Sequence, residues 1–570
     1  MSRSPLLGAL LMVVGCDGLG GAPDKGGLVD TDRVRDTDPE SDVPVESDTP
    51  TDSETGAGGD SDTGESDPPV DTFTPVSCTP GSYRVATTPR RWDLPTASTL
   101  PSETFDGIGY EVPCPGDATR QTSFGVLDLT GDGLPDLVVT DDCGTLPEDR
   151  IAVYPGTGKG FATTPRLLST PDTRSYTKAA NRRLHVDGRT GLEIEVDCPS
   201  GGSRPTVGRL ADLDGDGILD LLFHDRCHGS TLDPTPAWWV YLGSAAGWTD
   251  AGAAWLPPGL PDGMPDQAVS FADKNLYACD DSAQGFAWDL LDLDGDGRSS
   301  LVIQDACDAG DVGTTRWIAY TYDRGGQHTA RDWTLAPMPG LHPTSRAASQ
   351  TTGLSKAACA SGSYHTYADF TLADMTGDGV PDFVQTASCT SSAIVGVSTW
   401  LVYPATPTGF ASTPIDWDLP APPGMKVANR WFSKPANIGL AMCESGVEGY
   451  FLVRDADGDG FSDIVFPLPC DAPPSGPEGL QLYLGRADGM GAKETGVQAL
   501  LPTDPVGPPA LSPRQLAGRP VPCDGGGEAA WTWQDLDGDG RLDVVVTDVC
   551  DVGGVGTTHW LVYRGVCATP

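Results

Sequence analysis

One nine-residue motif occurs six times in this chain, and no other feature limits its fold as strongly. The copies are Asp128-Leu-Thr130-Gly-Asp132-Gly-Leu-Pro-Asp136, Asp212-Leu-Asp214-Gly-Asp216-Gly-Ile-Leu-Asp220 and Asp292-Leu-Asp294-Gly-Asp296-Gly-Arg-Ser-Ser300. They continue as Asp374-Met-Thr376-Gly-Asp378-Gly-Val-Pro-Asp382, Asp455-Ala-Asp457-Gly-Asp459-Gly-Phe-Ser-Asp463 and Asp535-Leu-Asp537-Gly-Asp539-Gly-Arg-Leu-Asp543. Successive first aspartates lie 84, 80, 82, 81 and 80 residues apart. A period this regular belongs to an array, a solenoid or a propeller. The flanks repeat as well. An alternating apolar run precedes each motif, as in Phe286-Ala-Trp288 and Trp531-Thr-Trp533. A β-branched run follows, as in Leu137-Val138-Val139, and then a strand ending in Tyr, as in Val402-Tyr403. Several repeats add a fourth segment, which in two reads Trp-x-Leu, Trp333 to Leu335 and Trp417 to Leu419. Period-two alternation between Gly, Pro and Asp turns predicts about four short strands per repeat, the content of one propeller blade. The expected fold is all-β, a six-bladed propeller, or seven-bladed if the long insertions build another blade.

Three or four carboxylates on nine residues need a cation. Spacing i, i+2, i+4 lets the side chains converge, and Gly at the fourth and sixth places permits the tight curl. Hard oxygen ligands select Ca²⁺ over transition metals. One full set is Asp212, Asp214, Asp216 and Asp220, with the Ile218 carbonyl as a further oxygen. The loop opens like an EF-hand but lacks the Glu at the twelfth place, where Val139, Phe223, Ile303, Gln385, Phe466 or Val546 stands instead.

The loop and its flanks, over residues 78–570, resemble the FG-GAP or VCBS repeat of integrin α-chain propellers and bacterial surface proteins. That resemblance implies a loop joining two strands of a blade, with Ca²⁺ held by the first, third, fifth and ninth residues and a main-chain oxygen. The implied ligands are Asp128, Thr130, Asp132 and Asp136 in the first loop, and the set above in the second. Asp292, Asp294 and Asp296 serve the third, where Ser300 leaves the ninth ligand in doubt. Asp374, Thr376, Asp378 and Asp382 serve the fourth; the neutral Thr130 and Thr376 predict weaker sites in loops 1 and 4. Asp455, Asp457, Asp459 and Asp463 serve the fifth, and Asp535, Asp537, Asp539 and Asp543 the sixth. Repeats of about 82 residues exceed the usual length of the family, so loops or an added strand should decorate each blade.

The first fifteen residues read as an export signal: Arg3, then a short apolar run from Leu6 to Val14, too short to span a bilayer. Val13-Val14-Gly15-Cys16 resembles the lipobox of bacterial lipoproteins, which implies lipidation of Cys16 and a membrane-anchored protein at the cell surface or in the periplasm. Residues 16–77 form an acidic, low-complexity linker expected to be disordered. The formal net charge of -44 argues against nucleic acid as a partner.

The chain has 15 cysteines, and setting Cys16 aside leaves an even number. Each repeat has one before its loop and one after: Cys114 and Cys143, Cys198 and Cys227, Cys279 and Cys307, Cys359 and Cys389, Cys443 and Cys470, Cys523 and Cys550. If the loop turns the chain back, both reach the far end of one two-strand hairpin and can bridge. Cys78 and Cys567 are left over. The last repeat also lacks its Trp-x-Leu segment, which stands instead at the other end as Trp92-Asp-Leu94. Both facts are explained if the N-terminal strand completes the last blade and a Cys78–Cys567 bridge locks the ring.

No nucleophile elbow, phosphate loop or zinc-protease motif is present, and His224 and His228 read as loop residues. The expected function is therefore non-catalytic binding of a protein or glycan, with Trp238, Trp248 or Trp431 able to stack on sugars if exposed. A polysaccharide lyase or a structural spacer is the alternative reading.

Overall fold

The computed structural model describes residue 78 and residues 82–567 with gaps, chiefly 87, 96–109, 142–145, 170–181, 197–205, 225–237, 256–276, 306–310, 341–355, 467–480, 487–520 and 549–553. The signal, Cys16 and the linker lie outside the described residues.

Six blade sheets follow one another along the chain, antiparallel within each blade, with Thr334 of blade 3 also pairing in parallel with Gly409 of blade 4. Blade 4 shows the plan: strands Lys356–Ala358, Tyr367–Ala373, Asp382–Ala387, Thr399–Tyr403 and Ile415–Asp418, hydrogen-bonded in chain order. The acidic loop joins the second and third. The last four are the strands expected from the sequence, and the first is the added one. Blades 2 and 5 carry two strands ahead of the loop strand instead of one, as in Arg182–Asp187 with Gly191–Val196, and Met425–Lys434 with Ile438–Cys443.

The alternation explains how blades stack. In Asp543–Asp548 of blade 6, side chains point alternately to opposite faces. Val545 joins Trp92, Phe124, Leu137 and Trp560 on the side of blade 1. Val544 and Val546 join Leu452, Val465 and Leu482 on the side of blade 5. A sheet buried on both faces has no polar face, which is why this strand is a run of valines. Comparable apolar clusters join blades 1 and 2, 3 and 4, and 4 and 5. Blades 2 and 3 meet through a buried ion pair, Arg209 to Asp289 at 2.7 Å, and an edge-on contact of Trp255 with Tyr322.

The ring closes as expected. Arg90–Asp93 is the outer strand of blade 6, pairing antiparallel with His559–Tyr563 and setting Trp92 opposite Trp560. Tyr83–Val85 pairs with Gly565–Cys567, and Cys78 is bonded to Cys567 across 489 residues. Phe161 of blade 1 meets both Trp92 and Trp560 edge-on. Closure removes the raw edges that an open array would have to cap.

Cys359 and Cys389 are also bonded, with Cα atoms 5.4 Å apart. Cys359 follows the added strand rather than the loop hairpin, so this bridge ties that strand to the far end of Asp382–Ala387. Cys114 and Cys443 end added strands, but the pairing of these and of Cys143, Cys198, Cys227, Cys279, Cys307, Cys470, Cys523 and Cys550 lies outside the described residues.

Candidate metal sites

All twelve glycines at the fourth and sixth loop places have positive φ, between 68° and 93°. This curl turns main-chain amides toward the first aspartate. In loop 5, Asp455 Oδ1 accepts from Gly458 N at 2.8 Å and Oδ2 from Gly460 N at 2.9 Å. Asp128, Asp212, Asp292, Asp374 and Asp535 accept the same pair of amides in their own loops. The fifth-place carboxylates, Asp132, Asp216, Asp296, Asp378, Asp459 and Asp539, each accept from the amide of the seventh residue.

The ninth aspartate has a second task. Asp463 is fully buried; one oxygen accepts from Ala456 N at 2.7 Å and the other from Gly485 N at 2.6 Å. Asp136, Asp220, Asp382 and Asp543 make the same clasp, to Gly156, Gly243, Ala405 and Gly565. It fastens the loop to the residue two beyond the strand-ending Tyr. Four of those residues are glycines because a Cβ would strike a carbonyl; at Gly485 it would lie 2.3 Å from Ser462 O. In blade 3 both partners change together: Ser300 replaces the acid and bonds Thr321, and Tyr322 fills the glycine's place.

The loops touch in a circle. The fourth-place glycine of each loop lies against the seventh residue of the next: Gly131 on Ile218, Gly215 on Arg298, Gly295 on Val380, Gly377 on Phe461, Gly458 on Arg541 and Gly538 on Leu134. The last contact returns to loop 1. Six acidic loops thus form one ring on one face.

Oxygen atoms of three carboxylates lie within 4.8 Å of one another in four loops: Asp212, Asp214 and Asp220; Asp292, Asp294 and Asp296; Asp455, Asp457 and Asp463; Asp535, Asp537 and Asp539. No loop gathers all four expected ligands in this way. Loops 1 and 4, with Thr130 and Thr376, form no such group among the described residues. Burial pushes the carboxyls of Asp220 and Asp457 up to about 7, Asp382 to about 6 and Asp543 to about 8; in Asp457 the charges of Asp459 and Asp455 add to it. The donor set fits a hard divalent cation. The sharpest sign is Asp457, which is fully buried with neither oxygen in a well-formed hydrogen bond and with Asp459 and Asp455 close by.

Arginines alter two of the loops, and the sequence reading missed them. Arg331 pairs with Asp294 at 2.6 Å. Arg564 pairs with Asp537 and, at 3.2 Å, with Asp539, which Arg541 also meets. A signal for this was available: loops 3 and 6 alone carry Arg at the seventh place, Arg298 and Arg541. Loops 1 and 4 alike carry Thr and Pro, and loops 2 and 5 belong to the blades with the added hairpin. Blades three apart match elsewhere too, as in Lys178-Ala-Ala-Asn-Arg182 with Lys426-Val-Ala-Asn-Arg430, and Gly313-Thr-Thr-Arg-Trp317 with Gly556-Thr-Thr-His-Trp560. Blades three apart thus share local features that their neighbours lack.

Of the tryptophans named as sugar stackers if exposed, Trp248 is buried; its indole N–H donates to Leu219 O at 3.0 Å, and it packs in the seam between blades 1 and 2. The side chains of Trp238, Trp431 and His224, and all of His228, lie outside the described residues.

The sheets, their order and the closure define this protein as a six-bladed β-propeller. No known family and no curated protein matches its sequence. Among solved structures it is similar to a rhamnogalacturonan lyase, YesW, at 12% identity and a TM-score of 0.25, over 83% of this chain and 75% of that one. A likeness so remote carries no argument about activity. No helix among the described residues is long and apolar enough to cross a membrane.

Proposed function

We propose that this chain is a calcium-stabilised propeller of FG-GAP/VCBS type, exported and held to a membrane through a lipid on Cys16, and that it binds a protein or glycan without catalysis. The observation that carries the calcium reading is Asp457, fully buried beside Asp455 and Asp463 with neither oxygen in a well-formed hydrogen bond. A divalent cation there supplies the charge that buried carboxylates lack and converts mutual repulsion into a bond between loop and strand. The binding reading rests on the propeller scaffold and on inter-strand loops able to display a surface.

The calcium test is thermal melting of the purified chain in chelator against millimolar Ca²⁺, with the midpoint expected to rise with free calcium. An unchanged midpoint counts against the loops as sites. For the anchor, Cys16→Ser should appear in the soluble exported fraction; retention on membranes after a high-salt wash rejects it. A glycan array run beside a lyase assay separates binding from catalysis.

A further inference from the structure

We propose that a cation in loop 5 guards the Cys78–Cys567 bridge that locks the ring. The inference rests on the calcium reading of that loop and names what the site controls.

The N-terminal segment is fastened to the very backbone that carries the buried Asp457 carboxylate. Cys78 N donates to Asp457 O at 3.4 Å. The carbonyl one residue earlier, Ala456 O, accepts from Leu542 N at 3.1 Å, and Leu542 O accepts from the Tyr83 hydroxyl at 2.6 Å. Tyr83 stands opposite Cys567 in the two-stranded pairing. Cys78, Tyr83, Ala456, Leu542 and Trp533 share one apolar cluster. Both ends of the bridge are therefore held by loop 5, directly at Cys78 and through Leu542 and Tyr83 at Cys567. Cys78 is 3% exposed and Cys567 is partly buried, so opening of this neighbourhood sets how readily a reductant reaches the bridge. With a cation among Asp455, Asp457 and Asp463 the backbone at Ala456 and Asp457 is fixed. Without one, the crowded carboxylates drive the loop apart, and the donors on its carbonyls go with it.

The probe is reduction by a water-soluble phosphine. The phosphorus attacks one sulfur and the other leaves as thiolate. Water then hydrolyses the phosphorus–sulfur bond, giving two thiols and a phosphine oxide, with the two electrons coming from phosphorus. Alkylation and peptide mapping follow each bridge in the full chain. In calcium at ten times its Kd, reduction of Cys78–Cys567 should slow about tenfold relative to chelator. Cys359–Cys389, at the far end of blade 4, should change little. Asp457→Asn should abolish the protection, and Asp214→Asn in loop 2 should keep it. Equilibrium dialysis of the same samples counts bound calcium. Equal rates with and without calcium, when dialysis shows loop 5 loaded, overturn this inference and leave the calcium reading standing. Equal acceleration of both bridges in chelator also overturns it, because it reports general loosening. If Asp457→Asn binds as much calcium as the parent, loop 5 is not a site and both readings of it fall.

Discussion

Replacing Trp92 with Ala tests whether the N-terminal strand is a working part of the last blade. Trp92 is 1% exposed and packs among Phe161, Trp560 and Val562. Burial of an indole removes about 150–250 Å² from water, worth about 4–6 kcal/mol at ~25 cal/mol per Å² as an upper bound. Large aromatic-to-alanine changes in cores cost about 3–5 kcal/mol, so we take about 4 kcal/mol here. A propeller need not unfold in one step, so the readout should be local. A loss of about 4 kcal/mol confined to the blade 6 edge multiplies its opening equilibrium roughly a thousandfold. Hydrogen exchange by mass spectrometry should show it in the peptides over Asp543–Asp548 and His559–Tyr563. Trp417→Ala, in the same slot of blade 4, should speed exchange in blade 4 and leave blade 6 alone. Blade 6 amides as well protected in Trp92→Ala as in the parent chain would refute the strand's role in closure.

The raised carboxyls of Asp220, Asp382, Asp457 and Asp543 give a pH signature. Their folded values exceed the unfolded one, so the native state binds more protons; stability of the metal-free chain should fall as pH climbs from about 4 to about 8. Calcium must displace those protons, so its Kd should tighten between about pH 5.5 and about pH 8; a constant Kd contradicts this. Gly485→Ala forces a Cβ toward Ser462 O and should cost about 1–3 kcal/mol in melting, whereas Ala405 already fills that place in blade 4. Arg564→Ala frees Asp537 and leaves Asp539 with Arg541 alone, so dialysis should count one more bound calcium; an unchanged count means that Arg564 does not stand in for a cation.

The loops, the blade number and the closure were legible because each depends on local or repeating signals. Glycine at two loop places predicted a curl, and all twelve glycines show it. The Trp92 segment was recognisable because Trp333 to Leu335 and Trp417 to Leu419 had taught its pattern. The arginines were not legible in the same way. Arg331 and Arg564 lie 37 and 27 residues beyond Asp294 and Asp537, and only the strand pairing of a finished blade brings them to the loop. Trp248 was open between surface and core in the sequence, and the Leu219 carbonyl that accepts its N–H places it in the core. The ninth aspartate was read as a ligand alone; its clasp to Gly485 and its counterparts needed the register of the strand that ends in Tyr.

The closure has a consequence for how the chain is made. Trp92 and Trp560 are 468 residues apart, so the strand that finishes blade 6 is synthesised first and its partner last. At ribosomal speeds of 5–20 residues per second that wait is roughly 20–90 s. The first five blades have their strands in order and can form as they emerge. During this interval Arg90–Asp93 carries an open edge and Cys78 a thiol without its partner. A product cut short anywhere before His559 keeps both, and an unpaired strand edge is a template for aggregation. The join between the chain ends is thus also a length check: only a chain read through to Cys567 can hide its first strand.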